Sequence, residues 1–147
     1  MKRKRCEVGI IEDGRGLRVS VNGLRAERLE KSTRVVFVCG GLVVKIAIRP
    51  EPDDLYWTGR EQNRAEVKLW KRAKKSRDGN MFAEVYDWHP RYKWIVAKRI
   101  VGRRADLLSH PKVAAMEEKY AFDAEGQFLM VGRRPVIYDY GCYDKRP

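Results

Sequence analysis

Cysteine is scarce: Cys6, Cys39 and Cys142 are odd in number and show no C-x-x-C spacing. Neither a disulfide framework nor a zinc site is suggested, and reduced thiols fit best. Long hydrophobic runs are also missing. No window approaches the length of a membrane span, and the basic opening Lys2-Arg3-Lys4-Arg5 has no apolar stretch behind it, as a secretory signal would need. A cytoplasmic protein with no membrane partner is expected. Negative charge is short as well: 20 acidic against 32 basic residues leave a net charge of +12. A positive field of that size attracts nucleotides, nucleic acid and acidic proteins without choosing among them. Histidine offers only His89 and His110, each before a proline, and neither is read as catalytic.

What the chain does have is enough apolar content for one core. At 147 residues and 44% hydrophobic composition, a single domain is expected over 1–147. Residues 1–16 read as a basic arm and loop. Leu17-Arg18-Val19-Ser20-Val21 alternates with period two and Asn22-Gly23 follows as a turn, so a half-buried strand begins there. Residues 24–32 are charged and compatible with either strand or short helix. Thr33 to Ile48 forms a hairpin about Gly40-Gly41, ended by Arg49-Pro50-Glu51-Pro52. A helix is predicted over about 58–76, with Glu66, Leu69, Trp70 and Ala73 on one face. Two strands follow, Phe82 to Trp88 and Lys93 to Ile100, completing a sheet across 17–100. Residues 105–108 and 111–121 read as short helices, and two apolar runs around Gly132-Arg133-Arg134-Pro135 make a final hairpin that delivers Asp139. Trp57, Trp70, Trp88 and Trp94 are assigned to packing.

One residue poses the functional question. Lys45 stands inside the run Leu42-Val43-Val44-Lys45-Ile46-Ala47-Ile48, where a cation is costly to bury unless an anion meets it. The predicted helix turns one carboxylate, Glu66, toward the core.

This order of parts resembles the protein kinase fold and its small phage and bacterial kinase-like relatives. Val43-Val44-Lys45-Ile46-Ala47 is similar to the V-A-I-K strand, Glu66 to the helix glutamate, residues 98–101 to the connector along the adenine edge, and Asp139-Tyr140-Gly141 to D-F-G. The resemblance covers roughly 32–141. It implies an α+β fold, a kinase-like small lobe of antiparallel sheet plus one long helix, with 101–147 as a truncated remnant of the second lobe. It also implies that Lys45 meets ATP phosphate, that Glu66 orients Lys45, that Lys98 and Ile100 offer backbone groups to the base, and that Asp139 takes Mg²⁺.

The departures are chemical. Where a glycine-rich phosphate loop belongs, the sequence has Leu29 to Arg34 with no glycine, so Ser32 and Thr33 stand in its place. No H-R-D core precedes the last hairpin. Gln127 holds the position of the second metal ligand, and Asp123, the candidate general base, is one place out of register. Six residues after Gly141 leave no activation segment. The expectation is therefore a pseudokinase-like protein that binds ATP and Mg²⁺ with impaired or absent phosphotransfer. The alternative is a basic, non-enzymatic protein engaging nucleic acid or an acidic partner. Its small size and basic arm resemble accessory proteins of bacteriophages, and Tyr138, Tyr140 and Tyr143 are candidates for a homodimer contact.

Overall fold

The structure, a computed structural model, describes residues 4–31, 34–47, 59–104, 110–124 and 126–141. It is α+β, and every pairing between its strands is antiparallel. A five-stranded sheet runs in the order β4-β5-β6-β8-β7, from β4 (Glu27–Lys31), β5 (Arg34–Cys39), β6 (Leu42–Ala47), β7 (Val85–Trp88) and β8 (Trp94–Lys98). Before it comes a three-stranded sheet of β1 (Val8–Asp13), β2 (Gly16–Val21) and β3 (Leu24–Arg25). The chain ends its described part with a hairpin of β9 (Phe128–Val131) and β10 (Arg134–Ile137). Among the described residues two α-helices, α1 (Gly59–Ala73) and α2 (Pro111–Tyr120), and a 3-10 turn, Arg77–Met81, complete it. No helix among the described residues is long and apolar enough to cross a membrane.

Local chemistry explains the joints. Asn22 and Gly23 both take positive φ, 53° and 81°, which a two-residue turn between right-twisted strands requires. His110 caps α2 by accepting from the Lys112 N–H, and Pro111 starts its first turn. In β6 the alternation sends Val44 and Ile46 to one face and Lys45 to the other. Val44 and Ile46 join Val35, Phe37 and Val96 in a core roofed by Val19, Val21 and Ala26 of the N-terminal sheet region. On the opposite face α1 buries Val67, Leu69, Trp70 and Ala73 against Ile95, Phe82 and Tyr140. The large sheet is thus a partition between two apolar layers, and Lys45 belongs to the helix side.

The structure revises several expectations. Residues 8–13 are a strand, and the preceding residues are tied down: Lys4 N–H donates to Tyr86 O at 2.9 Å and Cys6 N–H to Asp87 Oδ2 at 2.8 Å. The sequence hid β1 because Ile10 and Ile11 are adjacent and both exposed, which erases the alternation. Of residues 24–32, Leu24–Arg25 and Glu27–Lys31 resolve as strands, pairing with β2 and β5. The helix is shorter than expected. The short helix expected at 105–108 lies outside the described residues, as do Trp57 and Tyr143. Tyr140 is buried rather than exposed, because its ring fills the core beneath α1, so it is no surface for a dimer.

Candidate functional site

The ladder register sets the site. Val36 lies opposite Lys45 and Arg34 opposite Ala47 on the β5–β6 pair, so Arg34, Val36 and Lys45 share the face toward α1. From α1, Asn63 and Glu66 stand three residues apart on the buried side. From beyond β10, residues 138–141 pass beneath the helix. Gly141 is required there: a Cβ on it would stand 2.8 Å from Gln62 O and 3.0 Å from Gln62 Cβ.

Lys45 Nζ donates to Glu66 Oε1 at 2.9 Å, to Glu66 Oε2 at 3.0 Å and to Tyr138 O at 2.7 Å. Arg34 Nη2 donates to Glu66 Oε1 at 3.1 Å and to Asp139 Oδ1 at 2.8 Å, while Nη1 donates to Asn63 Oδ1 at 3.0 Å. Asn63 Nδ2 holds Tyr92 O at 2.9 Å, and the Tyr140 N–H reaches Glu66 Oε1 at 3.2 Å. Glu66 is 0% exposed, Arg34 3% and Lys45 5%; the Asp139 side chain retains 35%. Two cations and two carboxylates therefore close a neutral cluster, with Asp139 at its wet edge. Burial works to raise the Asp139 pKa, but Lys45 and Arg34 outweigh it and hold the carboxyl below its ordinary value of 3.8. Burial, aided by the Glu66 charge, pushes the Tyr140 phenol well above its ordinary 10.0. Its hydroxyl donates to Ala83 O at 2.7 Å, and its ring meets Phe82 edge-on at 5.0 Å.

No family model, no curated protein and no solved structure matches this chain. What the site can do must come from its own residues.

Lys45, Glu66 and Asp139 converge from strand, helix and hairpin exit. Ser32 and Thr33 lie outside the described residues. Lys98 ends β8, opposite Leu42, and Ile100 lies two residues beyond it. The Lys98 N–H is committed to Glu84 O at 2.8 Å, as is that of Arg99 to Gly41 O at 2.9 Å, so those two amides are not donors for a ligand. The Gln127 Oε1 accepts the Tyr138 hydroxyl at 2.6 Å. Asp123 is exposed between buried Phe122 and Ala124. The acid that organises this turn is Glu117, whose Oε2 accepts the Ala124 N–H at 3.0 Å.

Sequence reasoning missed Arg34 and Asn63. Asn63 carried a signal, standing one helical turn before Glu66, whereas the spacing of Arg34 carried none. A charged residue opening a strand reads as solvated, and only the packed helix reveals that it is buried.

The donors do not fit a divalent cation as they stand. Asp139 Oδ1 and both Glu66 oxygens already face ammonium or guanidinium, and among the described residues no group of three or more His, Cys, Asp or Glu side chains could hold a metal ion. Mg²⁺ asks for near-ideal octahedral oxygen ligation and gives up its waters reluctantly.

Proposed function

We propose that the chain is a kinase-like nucleotide-binding module that transfers no phosphate. One observation carries it: the strand lysine, the helix glutamate and the aspartate after the final hairpin meet in one cluster, with Lys45 Nζ 2.9 Å from Glu66 and Asp139 following the carbonyl that Lys45 also meets. The antiparallel sheet with α1 packed on it is consistent with a kinase-like small lobe. Val36, Val43 and Ala97 lie on the Lys45 face by register and offer an apolar wall for a purine. The candidate base Asp123 is exposed in a turn where Glu117 accepts the Ala124 N–H, which does not favour phosphotransfer.

The test is calorimetric titration of ATP, paired with a melting curve. ATP at about a hundred times its dissociation constant should stabilise the protein by about 2.7 kcal/mol, Lys45→Met should abolish both heat and stabilisation, and labelled phosphate should stay on ATP. An unchanged melting curve with no heat would remove nucleotide binding.

A second function is favoured by a separate surface. A groove of about 420 Å³ runs beside α1, where exposed Arg64, Lys68 and Arg72 stand over Leu69, Tyr120 and Tyr140. Arg72 lies 5.1 Å from the Tyr120 ring centroid. Three cations at four-residue spacing follow one helix face, and with the +12 charge they suit nucleic acid or an acidic protein. Retention on heparin should fall steeply with added salt and drop further in the triple variant Arg64→Ser, Lys68→Ser, Arg72→Ser. Retention that ignores both would rule this surface out.

A further inference from the structure

We propose that the Arg34 guanidinium takes the place on Asp139 that a divalent metal would occupy, so that a nucleotide held at this site binds without metal. The metal-free part rests on the nucleotide-binding proposal above; the displacement of metal by Arg34 stands on geometry alone.

Arg34 is built into position rather than swung there. It opens β5 on the face that carries Lys45, its side chain is 4% exposed, and Asn63, itself 0% exposed, fixes its orientation by accepting from Nη1 at 3.0 Å. Nη2 then bridges the two acids, Asp139 Oδ1 at 2.8 Å and Glu66 Oε1 at 3.1 Å. A cation joining those two carboxylates performs the electrostatic task of a metal ion: it cancels their repulsion and keeps positive charge at the one edge of the cluster that water reaches. Unlike a bound ion it cannot leave, and unlike lysine or histidine it cannot lose its proton.

Charge balance excludes the ion itself. Arg34 and Lys45 already neutralise Glu66 and Asp139. A divalent ion on Asp139 Oδ1 would break a charge-assisted hydrogen bond and set two more positive charges beside the buried Arg34 guanidinium, with Glu66 as the one carboxylate left to it. At the second metal-ligand position the Gln127 oxygen already accepts the Tyr138 hydroxyl.

Two measurements on the full chain test this. The first is Mn²⁺ titration followed by electron paramagnetic resonance, without nucleotide. Wild type should leave the free Mn²⁺ signal unchanged. Arg34→Gln, which keeps a donor for Asn63, should take up one Mn²⁺, and adding Asp139→Asn should abolish the uptake. Arg34→Lys, which retains the charge, should exclude Mn²⁺ as wild type does, and circular dichroism confirms that each variant folds. Stoichiometric Mn²⁺ uptake by wild type, or a folded Arg34→Gln protein that ignores Mn²⁺, would overturn the proposal. The second is ATP titration with EDTA and with Mg²⁺. Wild-type affinity should agree within about twofold, whereas affinity that falls more than about tenfold in EDTA contradicts a metal-free site. If ATP binds under neither condition, the nucleotide proposal fails and the Mn²⁺ result alone decides the role of Arg34.

Discussion

Glu66 has no exposed surface and accepts hydrogen bonds from Lys45, Arg34 and the Tyr140 amide. Desolvating a carboxylate and two cations is repaid only when all are paired in good geometry, and here each contact between a cation and a carboxylate lies between 2.8 and 3.1 Å. Asp139 differs because one edge still meets water, so it is the member that pH can reach. Its folded-state pKa lies below the ordinary 3.8. A depressed carboxyl contributes stability that is complete above the unfolded value and disappears as pH falls through the folded one. Wild type should therefore lose melting temperature on acidification below about pH 4 more steeply than Asp139→Asn does, and the two curves should approach each other there. Parallel curves would mean that Asp139 carries no linked charge.

At the scale of elements, α1 and the passage of residues 138–141 are fitted to each other by one missing side chain. A methyl on Gly141 meets the Gln62 carbonyl at 2.8 Å, and backbone cannot give way as a flexible side chain can. Gly141→Ala should cost about 1–3 kcal/mol in chemical denaturation, the usual penalty of overpacking, by pushing α1 off the passage beneath it. The same displacement would draw Glu66 from Lys45, so any ATP affinity should weaken in this variant although residue 141 touches no phosphate donor. A Gly141→Ala protein as stable as wild type would show that the helix has room to shift.

Across the whole molecule, legibility followed periodicity. The β5–β6 hairpin was readable from two apolar runs about Gly40-Gly41. The buried side of α1 was readable from Glu66, Leu69, Trp70 and Ala73, and the last hairpin from its Gly and Pro turn. Each of these buries what its own spacing demands. Arg34 was not readable because its burial comes from a helix thirty residues away in sequence, and β1 was not because both Ile10 and Ile11 face outward. Asp123 and Gln127 could be placed by motif register but not by orientation, which Glu117 and Tyr138 decide. The roof that β1 to β3 lay over Val44, Ile46 and Val96 has a practical corollary. Anyone shortening this gene to a tidy piece that begins at β4 would strip the lid from an oily wall, and the product would clump in the tube while every residue of the charged cluster was still encoded.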